Sequence, residues 1–119
     1  MHSRVVAYIG LGSNQDQPVR QVRTACRELA SLPATQLLAC SPLYKSAPLG
    51  PPDQPDYINA VAALETGLTP PVLLAELQAL EARHGRVRGA LRWGPRSLDL
   101  DLLLYGDAVI DMPDLKVPH

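Results

Sequence analysis

The sequence predicts an α+β domain of ferredoxin-like βαββαβ order, with an antiparallel sheet and helices packed on it. Three observations predict this. Short apolar, β-rich runs occupy residues 5–9, 36–44, 57–65 and 97–104. Two stretches of helical spacing, beginning at Pro18 and at Pro70, separate the first run from the second and the third from the fourth. Proline and glycine punctuate the junctions. The resulting order is the split βαβ pattern, which hosts many chemistries and selects none.

The elements follow in chain order. Val5-Val6-Ala7-Tyr8-Ile9 reads as a strand, and Gly10-Leu11-Gly12-Ser13-Asn14 reads as the turn that ends it. Over residues 18–32, Val19, Val22, Cys26 and Leu29 fall on one helical face, while Arg20, Arg23 and Arg27 fall outside it. Pro33 ends that helix. The run 46–55 holds four prolines and is read as a stiff loop. In the third strand, Ile58, Ala60, Ala62 and Leu64 alternate with Tyr57, Asn59, Val61 and Ala63. Thr69-Pro70 opens the second helix with a hydroxyl and a first-turn proline. Leu73, Leu77 and Leu80 form its core stripe, and Gly85 is read as its stop. A turn at Gly106-Asp107 precedes a short strand at 108–111.

A chain of 119 residues suits one domain, residues 1–119. Its formal charge of −1 argues against a dedicated nucleic-acid binder or a polybasic membrane anchor. No apolar stretch approaches the roughly 20 residues of a membrane span, and the N-terminus lacks the pattern of a signal peptide. The two cysteines, Cys26 and Cys40, form no metal spacing and are read as buried thiols of a cytoplasmic protein.

Charge is concentrated locally. Between Arg83 and Arg96 lie five arginines, one histidine and no acid. Directly after them, Asp99 and Asp101 alternate with Leu98, Leu100 and Leu102. On a strand the two acids leave the same side, with Cα atoms roughly 6.5–7 Å apart. Carboxylates held this closely repel unless a cation intervenes. Mg²⁺ is a natural partner because it prefers oxygen ligands and keeps waters and phosphates in its shell. Arg86, Arg88, Arg92 and Arg96 approach the same end of the strand, and guanidinium groups pair with phosphate oxygens. Acids and arginines together suggest phosphoryl transfer. The plain alternatives are a solvent-facing acid pair and a solvated basic loop. Trp93 suits stacking on a heterocycle or plugging its loop. Tyr57 and Asn59 offer a ring face and an amide to a flat nitrogen-rich ring, or serve as core packing and edge capping. His84 is read as a helix-end cap, and His119, on position alone, as a flexible terminus.

These residues resemble the 6-hydroxymethyl-7,8-dihydropterin pyrophosphokinase family over essentially the whole chain. The match includes Gly12-Ser13-Asn14, Ser46-Ala47-Pro48-Leu49-Gly50, Gln54 through Ala60, Glu81, Gly85-Arg86-Val87-Arg88, Leu115 and Val117-Pro118-His119. Its most specific part runs from Arg92 to Leu103. The resemblance implies transfer of pyrophosphate from ATP to the hydroxymethyl group of the pterin, with AMP leaving, in folate biosynthesis. Asp99 and Asp101 would hold two Mg²⁺ ions. Arg86 and Arg96 would act on phosphate charge, with Gln78, Arg88, Trp93, Lys116 and His119 near ATP. Ser46, Leu49, Tyr57 and Asn59 would receive the pterin beneath Trp93. Loops 47–56 and 85–92 would close on substrates.

Two departures stand out. Gly89 replaces a basic residue common in the family. Relatives also run on past His119 with a further aromatic and arginine, so a C-terminally short form is expected. The competing expectation is an inactive truncated homologue serving as a nucleotide-binding or interaction domain. A metal-dependent nuclease is a third, disfavoured because no basic stripe extends beyond one loop. The chain is expected to be a monomer, with self-association open to a truncated form.

Overall fold

The computed structural model describes residues 4–47, 55–86 and 98–119, without the side chain of Arg86. The elements are β1 (Val5–Ser13), α1 (Pro18–Leu29), β2 (Thr35–Cys40), β3 (Tyr44–Ser46), β4 (Tyr57–Thr66), α2 (Pro70–Arg86), β5 (Asp99–Tyr105), β6 (Ile110–Met112) and β7 (Leu115–Val117). The main sheet has the order β2-β4-β1-β5, with β3 also paired to β4. All of its pairings are antiparallel. Strands β6 and β7 form a separate two-stranded hairpin. The architecture is α+β.

Burial alternation builds the core. Along β4 every second residue, from Ile58 through Ala60, Ala62 and Leu64 to Thr66, is buried. Ala7, Ile9 and Leu11 of β1 and Leu100 and Leu102 of β5 join them. From the helices come Val22, Ala25, Cys26 and Leu29, and Leu73, Leu77 and Leu80. Each fully buried leucine stabilises the fold by roughly 1.5–3 kcal/mol relative to exposure. The opposite sheet face keeps Tyr8, Asn59 and Asp101 at least partly open to solvent.

Several expectations require correction. β1 does not end at Ile9 but continues through Ser13. Gly10 and Gly12 lie in register with neighbours on both sides, so the pairing overrides the turn tendency of the glycines. The single strand expected over 36–44 is two, β2 and β3, interrupted at Ser41-Pro42-Leu43. Ser41 bridges the gap: its N–H donates to Val61 O, and its Oγ accepts from Val61 N at 2.9 Å. Gly85 stays helical within α2. Val19 is exposed, and Ala25 takes the buried position on α1. The short strand after Gly106 starts at Ile110 and pairs with β7 rather than with the sheet. Gly106 itself sits at φ +54°, where a Cβ would meet Val5 Cγ1 at 2.9 Å.

The cysteines differ most from expectation. Cys26 on α1 and Cys40 at the end of β2 are joined as a disulfide, with Cα atoms 6.8 Å apart. Cys26 is buried and Cys40 exposed, so the pair links the helix layer to the sheet margin. His84 does not cap its own helix. It bridges α2 to α1, its Nε2 donating to Glu28 Oε1 at 2.6 Å and its Nδ1 lying against Gln21 Oε1. Gln21 Nε2 donates to Asp16 O at 3.2 Å, which orients that amide.

Candidate active site

The site is built on the sheet face that the helices leave open. Leu98, Leu100 and Leu102 are buried, while Asp99 between them is half-buried and Asp101 exposed. Both acids therefore leave β5 on the open side, as alternation requires. In register, Gly12 of β1 stands between Asn59 of β4 and Asp99 of β5. Gly10 stands between Val61 and Asp101. Two strand spacings put the amide row about 9–10 Å from the acid row.

Gly12 is the floor between them. A Cβ there would lie 3.3 Å from Asn59 Oδ1 and 3.9 Å from Tyr57 Cδ1. With no side chain, the two groups can close over the backbone of β1. Asn59 Nδ2 donates to Ser46 Oγ at 2.7 Å and reaches Tyr44 O at 3.5 Å, which fixes the amide orientation. Tyr57 is half-buried on the same side of β4. Ser46, Tyr57 and Asn59 thus form one neutral, hydrogen-bonding corner.

The acidic corner has its own supports. The His119 N–H donates to Leu103 O at 3.0 Å, so the residue is tied to β5 rather than being a loose terminus. Its Nε2 lies 4.0 Å from Asp101 Oδ1. From α2, Glu81 Oε2 accepts from Leu100 N at 2.8 Å, between the two aspartates.

The donor set fits a hard divalent cation. Two carboxylates, neither fully buried, leave most of an octahedral shell to water and phosphate, as Mg²⁺ prefers. Among the described residues no cluster of three or more acidic, histidine or cysteine side chains forms a closed protein cage. A hollow of about 430 Å³ lies elsewhere, along α1 beside Arg20, Arg23 and Arg27, and its lining includes no acid. Because α1 packs on the covered side of the sheet, that hollow does not serve the aspartates.

Other expected site residues lie on α2 and β7 or fall outside the described residues. Gln78 is exposed on α2. Lys116 points outward between buried Leu115 and Val117 and pairs with Asp111 at 3.5 Å, not with an acid of β5. Leu49, Arg88, Arg92, Trp93 and Arg96 lie outside the described residues, as does the side chain of Arg86. Sequence reasoning missed the role of Gly12, because its signal is a neighbour 47 positions away. It quoted Glu81 but gave it no task.

Fold and site define an α+β domain carrying an acid pair and a neutral amide corner on one open sheet face. The 7,8-dihydro-6-hydroxymethylpterin-pyrophosphokinase family model matches residues 8–119, and the chain belongs to that family. It is similar to the 2-amino-4-hydroxy-6-hydroxymethyldihydropteridine pyrophosphokinase of Pseudomonas aeruginosa, 56% identical over 94% of this chain and 68% of the relative. The Haemophilus influenzae protein of that name is 53% identical over 97% of this chain and 71% of its own. The one from Pseudomonas putida is 57% identical over 95% and 92%.

Proposed function

We propose that this chain transfers the β,γ-pyrophosphoryl group of ATP to the hydroxymethyl oxygen of 6-hydroxymethyl-7,8-dihydropterin, a step of folate biosynthesis. The family membership and the names of the similar proteins support the reaction. The observation that carries the assignment of residues is the row Asn59–Gly12–Asp99, with Asp101 beside it on the same face.

In this reading the neutral corner takes the pterin. Tyr57 packs against the flat ring, and Asn59, held by Ser46, presents its amide to the ring edge, with Leu49 beside it. The hydroxymethyl arm then points across Gly12 towards the acids. Asp99 and Asp101 would hold two Mg²⁺ ions. When bound, these ions neutralise phosphate charge and favour the deprotonated hydroxyl. The pterin oxygen forms a bond to Pβ, the bond from Pβ to the oxygen shared with Pα breaks, and AMP leaves with that oxygen. The hydroxyl proton passes to solvent. Arg86, Arg88 and Arg96 supply positive charge to the phosphates, and Trp93 covers the ring. Gln78, Lys116 and His119 lie on the ATP side.

The fold is taken as ferredoxin-like, supported by the order β2-β4-β1-β5 with both helices on one face. The chain is taken as one domain, active as a monomer in the cytoplasm. No described helix is long and apolar enough to cross a membrane. In a reducing compartment the Cys26–Cys40 pair would stand as thiols, which thiol titration with and without reductant measures.

The direct test incubates the chain with Mg²⁺, ATP and the pterin alcohol and follows AMP. AMP should form with the wild type and not with Asp99→Ala. Substrate binding without AMP would favour the non-catalytic reading instead.

A further inference from the structure

We propose that Glu81 is a positioning residue for the acid pair, acting through the backbone of β5. The inference rests on the proposed function and names a residue on a different element from the acids.

Among the described residues β5 is an edge strand, because only β1 pairs with it in the main sheet. In an antiparallel pair, backbone groups point alternately towards the partner and away from it. The Leu100 N–H points to α2, where Glu81 Oε2 accepts it at 2.8 Å. Leu100 is buried, so its donor has little access to water, and a buried donor without a partner is costly. Three residues on, Leu103 O accepts from the backbone of His119. The free edge of β5 is thus held on both sides of Asp101.

The location of the first bond gives it a consequence. Asp99 and Asp101 leave the chain immediately before and after Leu100. A twist of the backbone at Leu100 turns the two side chains in opposite senses and changes the distance between their carboxylates. Cations shared by two acids tolerate displacements of only about 0.5 Å. A charge-assisted hydrogen bond from a helix is a stiff restraint on that backbone. Holding α2 in place does not require a carboxylate, since Leu73, Leu77 and Leu80 already bury the helix. Glu81 therefore serves the geometry of β5 more than the attachment of α2.

The test compares Glu81→Gln, which keeps an acceptor at the same reach, with Glu81→Ala, which removes it, and Glu81→Asp, which keeps the charge but is one methylene too short. Calorimetry measures the affinity of each for Mn²⁺ in the presence of a non-hydrolysable ATP analogue. Hydrogen exchange reads the Leu100 amide. We expect Glu81→Ala and Glu81→Asp to bind Mn²⁺ roughly 10–100-fold more weakly, the range for residues that orient ligands. Their kcat should fall by a similar factor, with KM for the pterin unchanged and Leu100 exchange accelerated. Glu81→Gln should stay within about threefold of wild type, since it retains the bond. Wild-type metal affinity in Glu81→Asp would overturn the inference even if Glu81→Ala fails to fold. Equal losses in Glu81→Gln and Glu81→Asp would also overturn it, because an acceptor kept at the same reach would then rescue nothing. A wild-type chain that binds no metal with the analogue would count against the proposed function itself.

Discussion

The two corners of the open sheet face are built in opposite ways. At the neutral corner the side chains already hold one another: Asn59 donates to Ser46 Oγ, and Asn59 and Tyr57 flank a glycine floor. At the acidic corner the functional side chains are like charges, and the supports hold the backbone instead, through Glu81 to Leu100 and His119 to Leu103. A flat ring with fixed donors and acceptors needs its hydrogen-bonding partners oriented before it arrives. A cation supplies its own attraction and needs only ligands at the right separation. Removing a side chain at the acidic corner should therefore affect turnover far more than folding, while crowding the neutral corner should affect pterin binding first.

The largest expected effect tests the acidic side. Asp101→Ala should lower kcat by about 10³-fold or more, because metal charge stabilisation is worth several kcal/mol and each 1.4 kcal/mol or so is a factor of ten. Its melting temperature without metal should be unchanged or slightly higher, because a repulsion is relieved. A large drop in melting temperature would show that Asp101 is structural. Next comes the floor. Gly12→Val forces Asn59 Oδ1 and Tyr57 aside, and such overpacking costs about 1–3 kcal/mol. Pterin affinity should fall by roughly 10–100-fold, with Mn²⁺–nucleotide affinity retained. Equal losses of both would mean that the corners are not separable. The smallest effect is at the amide support. Ser46→Ala removes one neutral hydrogen bond, worth about 0.5–1.5 kcal/mol, so KM for the pterin should rise by no more than about tenfold. A change in kcat alone would place Ser46 with the phosphates.

These corners also differ in how legible they were in the sequence. The direction of Asp99 and Asp101 follows from alternation with leucines, a local signal, and so does the burial of Ile58, Ala60, Ala62 and Leu64. The continuation of β1 through Gly10 and Gly12 does not, because glycine is a turn residue until strands from distant parts of the chain pair on both sides of it. The break at Pro42 and the helical Gly85 are likewise decided by tertiary context. The Cys26–Cys40 bond and the His84 bridge join elements whose proximity no spacing rule reveals. Glu81 lies one residue beyond the core leucine Leu80, and nothing local says that its carboxylate reaches a backbone N–H 19 positions away.

The central claim is that two acids of one strand share divalent cations at the phosphate end of the site. Electron paramagnetic resonance of Mn²⁺, titrated into the chain with a non-hydrolysable ATP analogue and the pterin, tests it most directly. Two protein-dependent Mn²⁺ ions should bind per wild-type chain, and both should be lost when Asp99 and Asp101 are changed together to asparagine. Unchanged Mn²⁺ binding in that double variant would contradict the account.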